Sequence, residues 1–192
     1  MIQIISGTNR PGSFSLKLSN HILHLLVSEG AKADVLDLAK LDFSPLNGTQ
    51  YSANGLPPSL SDALEKVNAA DGLLFVIPEY NGSYPGVLKY FIDHWKYPES
   101  FEKRPVAFTG LGWAFGGLRP VEHMMQVMSY RNAFIFPERV FIKNAPKELD
   151  KIENLDSKIQ DLLKSQAKGF TKFVKALKSE KMDANSIPPK SK

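Results

Sequence analysis

The sequence predicts an α/β fold, in which one five-stranded parallel sheet carries helices on both of its faces. Five short apolar runs alternate with five segments of helical periodicity, an alternation typical of βαβ units with right-handed crossovers. The chain has 192 residues, a length that favours one well-packed domain. Its unusual residues are concentrated in loops after three of the strands, where open α/β sheets bind ligands.

The predicted elements follow one another without an internal repeat. The first strand covers Met1–Ile5, and the first helix reaches about Glu29 because apolar side chains recur in it at helical spacing. An alternating run at 33–38 predicts a strand near the edge of the sheet, and the most apolar run, 72–77, predicts a central strand. The later elements are a helix from Ser59 to about Asp71, a helix starting near Pro85, a strand over 104–109, a helix marked by Val121, Met124, Met125 and Met128, a strand over 133–142 interrupted at Pro137, and a helix over 155–177.

Two segments fall outside these elements. Residues 41–58 are rich in proline, glycine and asparagine and predict a long surface loop, a kind of segment that is often functional. Beyond Lys181 the chain contains Pro188, Pro189 and several lysines. We therefore expect a single domain over residues 1–180, followed by a basic, disordered tail over 181–192.

The composition excludes several classes of protein. No run approaches the ~18 apolar residues of a membrane span, and the chain starts with a strand rather than a basic leader, so we expect a cytoplasmic protein without membrane contact. The absence of cysteine excludes disulfides, thiolate metal sites and a thiol nucleophile, so any redox chemistry requires a bound cofactor. The net charge is +4, but eight lysines lie between 164 and 192, which favours a solvated basic helix over a nucleic-acid surface.

The loop after the first strand has the composition of an anion site. Gly7 and Gly12 permit sharp turns, and the free N–H groups at the start of the next helix point at a bound anion. Three hydroxyl residues and one arginine add donors suited to phosphate. These four residues are Thr8, Arg10, Ser13 and Ser15. An ordinary loop in which Ser13 only caps the helix is the alternative. The loop lacks the dinucleotide and P-loop signatures, which favours a mononucleotide.

Two further loops have residues suited to a flat ligand. In the loop over 78–86, Tyr80 can stack on a heteroaromatic ring while the N–H groups around Asn81 and Gly82 bond to it; a purely structural turn is the alternative. The loop over 110–117 contains four glycines, which permit close approach of the backbone. Trp113 and Phe115 in this loop either line the mouth of a pocket or contact a partner subunit. His94 and His123 have no metal-site pattern around them.

These motifs resemble the NADPH-dependent FMN reductase family of quinone, azo and metal-ion reductases. Residues 7–15 resemble the family's G-S-x-R-x-x-S-x-N loop, and residues 78–89 match its P-E-Y-N-x-S-x-P-G-x-L-K segment nearly throughout. Later landmarks over 116–119 and 136–144 extend the likeness to about residues 1–145. The first loop departs from the family at two positions, because Thr8 stands for Ser and Ser15 for Asn, and a hydroxyl can replace the amide as donor.

The resemblance implies a flavodoxin-like three-layer sandwich with strand order 2-1-3-4-5, in which the three loops meet beside the switch between strands one and three. It implies FMN as the cofactor and NADPH or NADH as the hydride donor. The electron acceptor is a small molecule, namely a quinone, a free flavin, an azo compound or a metal ion. The implied assembly is a homodimer or homotetramer, and hydride transfer to a flavin requires no catalytic acid or nucleophile of the protein.

The family's binding residues fall into three groups on this sequence. Those implied to hold the FMN phosphate are Thr8, Arg10, Ser13 and Ser15. Those implied to hold the isoalloxazine are Pro78, Glu79, Tyr80, Asn81 and Gly82, and those implied to close the third side are Thr109, Gly110 and Gly112. The alternatives are a flavodoxin-like electron carrier and a non-catalytic FMN-binding module. Such carriers tend to be acidic and lack the segment over 78–85, whereas this chain is basic.

Overall fold

The structure contains the predicted parallel sheet, and its strands lie in the predicted order β2-β1-β3-β4-β5. This computed structural model describes residues 1–43 and 55–186. Most of the predicted loop at 41–58, and residues 187–192, lie outside the described residues. The strands are β1 Ile2–Ser6, β2 Ala33–Asp37, β3 Gly72–Pro78, β4 Pro105–Leu111 and β5 Phe134–Ile142. The flavodoxin-like fold class predicted from the sequence is therefore confirmed.

Of the six α-helices in the described residues, five were predicted and one short helix was not. The helices are α1 Phe14–Ser28, α2 Pro58–Ala69, α3 Gly86–Asp93, α4 Leu118–Tyr130, α5 Ala145–Glu148 and α6 Ser157–Ser179. One turn of helix, such as α5, is too short to show a 3.6-residue period in a sequence. Among the described residues, no helix is long and apolar enough to cross a bilayer.

The sheet has an apolar core on each face because its central strands are buried on both sides. Along β3, Leu73, Phe75 and Ile77 pack with the helices α2, α3 and α4. Leu74 and Val76 pack on the other face with α1 and α6. Each fully buried side chain of this kind contributes about 1.5 to 3 kcal/mol. The methionines Met124 and Met128 of α4 are part of the first core.

The predicted interruption of the last strand is a change of register between β4 and β5. Val106 pairs with Ile135, but Phe108 pairs with Arg139, so Pro137, which has no N–H to donate, lies in the irregular part. Gln166 of α6 is buried beside it. Its Nε2 donates to the carbonyls of Phe108 at 2.9 Å and Glu138 at 3.0 Å, which supplies donors that the strand pairing lacks.

The first part of the predicted disordered tail, residues 181–186, ends in a short 3-10 helix over Ala184–Ser186 and contacts the domain through Asp183 and Asn185. Asp183 is 2% exposed. Asn185 Nδ2 donates to the Ala70 carbonyl at 3.2 Å, and its Oδ1 accepts from Arg104 Nη1 at 3.2 Å. The sequence-based prediction weighed only lysine and proline content, and it could not detect that a buried arginine needs acceptors from this segment.

Arg104 lies at the centre of this packing and is only 1% exposed. Its Nη2 donates to the carbonyls of Asn68 at 3.0 Å and Glu99 at 2.9 Å, and its Nη1 also donates to the Ala70 carbonyl. Burial lowers the pKa of Arg104 to about 10, while the carboxylates of Asp183 and Asp71 act in the opposite direction. The guanidinium therefore connects the end of α2, the segment before β4 and the C-terminal segment.

Replacing Arg104 by methionine is expected to lower the free energy of unfolding by about 3 kcal/mol or more, because several buried carbonyls lose their donor at once. Urea denaturation followed by circular dichroism measures this change. Arg139→Met is the matched control, since Arg139 is exposed on β5. A loss for Arg104→Met no larger than the loss for the control would contradict the structural role of this arginine.

Candidate functional site

The loops after β1 and β3 meet at the carboxyl end of the sheet and are joined directly. Thr8 Oγ1 donates to the Tyr80 hydroxyl at 3.1 Å, although 72 residues separate them in sequence. The prediction that the Arg10 and Tyr80 loops lie together is therefore confirmed. They border a cleft of about 310 Å³. The predicted site residues that line this cleft are Thr8, Arg10, Ser13, Ser15, Pro78, Glu79, Tyr80 and Gly112.

A chain of serine hydroxyls lies at the start of α1. Ser13 is the N-cap residue, and its Oγ accepts from the Leu16 N–H at 3.2 Å. The Oγ atoms of Ser13 and Ser15 are 2.9 Å apart, and Ser6 Oγ at the end of β1 donates to Ser15 Oγ at 3.4 Å. All three serines are buried. The hydroxyl of Ser15, which stands at the family's Asn position, is therefore held in place at the base of the cleft.

The same turn presents positive charge and unused donors. The first N–H groups of a helix have no intrahelical partner, and in the described chain those of Phe14 and Ser15 have no acceptor. The Arg10 N–H donates to Thr8 Oγ1 at 3.3 Å, which holds the turn while the guanidinium stays exposed at the cleft. This combination of a helix N-terminus, hydroxyls and a guanidinium fits a phosphate group.

A tight two-residue turn positions Tyr80. The Tyr80 N–H donates to the Ser83 carbonyl at 2.8 Å, and the Ser83 N–H donates to the Tyr80 carbonyl at 3.0 Å. Between them, Asn81 has a φ of 50° and Gly82 a φ of 78°. Two successive positive φ values are typical of a type I′ turn, which asparagine and glycine adopt most easily. The turn leaves the Tyr80 side chain 41% exposed at the cleft.

The loop after β4 closes the third side at Gly112 rather than earlier. The Glu79 N–H donates to the Leu111 carbonyl at 2.9 Å, so the ends of β3 and β4 stay paired. A Cβ at Gly112 would lie 3.0 Å from both Glu79 Oε2 and the Gly117 nitrogen, which explains why glycine is needed there. This close approach brings the two loops together at the cleft.

Thr109 and Gly110 do not line the cleft, in contrast to the prediction. Thr109 is fully buried, and its Oγ1 donates to Gln166 Oε1 at 2.7 Å. A Cβ at Gly110 would lie 2.7 Å from the Gly117 carbonyl oxygen, inside the packed loop. The physical reason is that β4 extends to Leu111, so both residues belong to the strand. Asn81 and Gly82 line a smaller neighbouring hollow.

A fourth segment, which the sequence analysis missed, also lines the cleft. Ala145, Pro146 and Asp150 come from the residues after β5. The Ala145 N–H donates to the Gly112 carbonyl at 3.0 Å, which joins this segment to the third loop. Lys17 Nζ lies 5.3 Å from the centre of the Phe14 ring and donates to the Asp150 carbonyl at 3.4 Å. The only signal in the sequence was that this segment also follows a strand.

His94 and His123 have structural partners. His94 is buried, and its Nδ1 lies 2.8 Å from the Tyr90 carbonyl oxygen. His123 Nδ1 lies 2.9 Å from Ser83 Oγ, so it supports the turn that carries Tyr80. Within the described residues, no cluster of three or more His, Asp or Glu side chains has the geometry of a metal site.

The donor set of the cleft fits FMN. One end offers the N–H groups, hydroxyls and guanidinium that a phosphate requires, and the other offers Tyr80 and Trp113 as walls for a flat ring. The Thr8–Tyr80 hydrogen bond joins these two ends. The same cleft can therefore hold both parts of one elongated molecule.

Known proteins resemble this chain over most of its length. An NAD(P)H-dependent FMN reductase of Pseudomonas aeruginosa is 31% identical over 179 residues, which cover 91% of this chain and 95% of that protein. An FMN-dependent NADPH-azoreductase of Staphylococcus aureus is 30% identical over 130 residues, or 65% of this chain and 67% of that protein. The solved structure of a flavoenzyme NAD(P)H:(acceptor) oxidoreductase from Paracoccus denitrificans has the same fold, with a TM-score of 0.70 at 19% identity, and covers 91% of this chain and 97% of that chain.

The family model matches at the residues that build the cleft. It covers residues 1–147, a range that includes the Arg10 loop, the Tyr80 turn, the loop after β4 and the start of the segment after β5. Because this match spans well over half of the sequence, the chain belongs to the NADPH-dependent FMN reductase family.

Proposed function

We propose that this protein is an FMN-dependent oxidoreductase that transfers electrons from NADPH or NADH to a small-molecule acceptor, namely a quinone, a free flavin, an azo compound or a metal ion. The observation that carries this proposal is the direct junction of the phosphate-type loop and the Tyr80 turn by the Thr8 hydroxyl. Family membership supports FMN as the group held in the cleft.

The residues of the chain bind and orient the cofactor. Arg10 and the serine hydroxyls hold the phosphate, and Thr8 fixes the turn through its bonds to the Arg10 N–H and the Tyr80 hydroxyl. In the described part of the segment over 78–82, the N–H groups of Asn81 and Gly82 are the ones not engaged by backbone carbonyls, and they hold the ring. When bound, FMN supplies the redox chemistry, because it accepts hydride from a nicotinamide and delivers electrons to an oxidant. The protein is left with the tasks of placing the two reacting rings in contact and excluding water between them.

An electron carrier of the same fold is the competing function. Three features favour the reductase. The chain has a net charge of +4, whereas such carriers tend to be acidic, and it has the full proline-rich segment over 78–85. The mouth of the cleft also carries an exposed aromatic side chain, Trp113, against which a second flat reactant can pack.

A turnover assay distinguishes the reductase from the electron carrier. The FMN-loaded protein is expected to oxidise NADPH or NADH steadily when a quinone is supplied, because no other protein has to deliver the electrons. The absorbance of the nicotinamide measures the rate, and the flavin spectrum under anaerobic conditions shows whether the cofactor is reduced. A bound flavin that neither nicotinamide reduces would contradict the reductase and favour the carrier or a binding module.

Arg10→Ala is expected to weaken FMN binding by about 1.5 to 3 kcal/mol, or roughly 10- to 150-fold in Kd, because it removes a charge-assisted hydrogen bond to the phosphate. Flavin fluorescence quenching measures the constant. Arg139→Ala is the matched control, because Arg139 is exposed and does not line the cleft. An unchanged Kd for Arg10→Ala would refute the phosphate role of this loop.

We also infer that the protein assembles as a homodimer or homotetramer. Tyr97 is 49% exposed and Tyr130 is 78% exposed, and both border a hollow of about 450 Å³ beside α3 and α4. Arg131 stacks on both tyrosines, and the hollow is lined by apolar and charged side chains together. Exposed aromatic and arginine side chains are typical of an interface, and a second copy of the chain covers them here. Sedimentation equilibrium at micromolar concentration is expected to give at least twice the mass of one chain. A purely monomeric protein would contradict this assembly.

A further inference from the structure

A second hollow adjoins the mouth of the cleft. It has a volume of about 250 Å³ and shares two of its lining residues, Glu79 and Trp113, with the cleft. Its other walls come from the Tyr80 turn and the loop after β4, and these residues are Asn81, Gly82, Ala114 and Phe115. The hollow is therefore lined in part by the segment proposed to hold the flavin ring and includes no residue of the phosphate-type loop.

Two aromatic side chains form one wall of this hollow. Trp113 is 69% exposed and Phe115 is 61% exposed, so both present large apolar surfaces to water. Burying such surfaces is favourable, and flat rings pack well on aromatic side chains. The wall is suited to an aromatic guest.

Arg119 supplies a positive charge beside Gly82, one of the residues that line the hollow. It lies in the first turn of α4, and a Cβ added at Gly82 would be 3.4 Å from its Nη1. Its side chain is exposed, and within the described parts of the chain no hydrogen bond or salt bridge engages its guanidinium. The Glu79 carboxylate also lines the hollow and repels an acidic group. The match is therefore to an aromatic ring whose carboxylate or sulfonate points toward the Arg119 guanidinium and away from Glu79.

We propose that this hollow binds the electron acceptor and that Arg119 selects aromatic acceptors with an acidic substituent. The proposal rests on the proposed function, since an acceptor must contact a flavin ring held by the segment over 78–82. Arg119 acts here as a specificity-determining residue. It pairs with the acidic group and thereby holds the aromatic part of the acceptor against Trp113 and Phe115.

Arg119→Gln tests this role on the FMN-loaded protein, with naphthoquinone and naphthoquinone sulfonate as a matched pair of acceptors. Loss of the guanidinium is expected to lower kcat/KM for the sulfonate about fivefold or more, mainly through KM, because a partly exposed ion pair is lost. The value for the neutral quinone is expected to change by less than about twofold. Arg119→Lys should retain part of the preference, and Arg139→Gln should leave both acceptors unaffected.

A binding measurement makes the test independent of turnover. Calorimetric titration with naphthalene sulfonate, which is not an electron acceptor, is expected to give a Kd that Arg119→Gln raises by a similar factor, again about fivefold. Equal effects of Arg119→Gln on the neutral and the sulfonated quinone, or an unchanged Kd for naphthalene sulfonate, would overturn the proposal. If the wild-type protein reduces neither quinone, the proposed function fails, and the calorimetric comparison still decides whether Arg119 recognises the acidic group.

Discussion

The hydrogen bond between Thr8 and Tyr80 is the contact on which the candidate site depends. It joins the loops that follow two neighbouring strands, because β1 pairs with β3 and Ser6 lies opposite Val76 in the register. Parallel pairing brings both strand ends to the same edge of the sheet. The fold therefore places the phosphate end of the cleft beside its ring end. Only the conformations of the short turns after β1 and β3 are left to set the final position of the two ends.

The apolar core supports this edge of the sheet. Buried polar side chains supply hydrogen bonds where the regular pairing of the strands is interrupted or ends. Gln166 supplies donors where β5 changes register, and its Oε1 accepts the hydroxyl of Thr109. Arg104 has the corresponding role at the opposite end of β4, where its guanidinium donates to backbone carbonyls at the end of α2 and before β4 and to the Asn185 side chain. A buried polar group without a partner costs free energy, and these hydrogen bonds offset that cost for Gln166 and for both terminal nitrogens of Arg104, whereas Arg104 Nε has no partner among the described residues. Because the buried core stabilises the fold, the loops can present exposed polar and aromatic side chains without unfolding the domain.

The features that can be predicted from the sequence are those that depend on the order of residues within one segment. Apolar periodicity predicts the strands and five helices, and loop composition is sufficient to indicate Arg10 and Tyr80. The positions of Thr109 and Gly110 were not predictable, because they depend on how far β4 extends beside its neighbours. Packing of the C-terminal segment depends on Arg104, a partner distant in sequence. The place of Arg119 at the second hollow likewise depends on tertiary contact with Gly82.

A double-mutant cycle on Thr8 and Tyr80 tests the central claim most directly. FMN dissociation constants are measured for the wild-type protein, Thr8→Val, Tyr80→Phe and the double variant. If the hydrogen bond joins the two halves of the site, each single variant weakens binding and the double variant loses little more than either one, with a coupling energy of about 0.5 to 1.5 kcal/mol. Strictly additive losses, or single variants that bind FMN as tightly as the wild-type protein, would contradict this account.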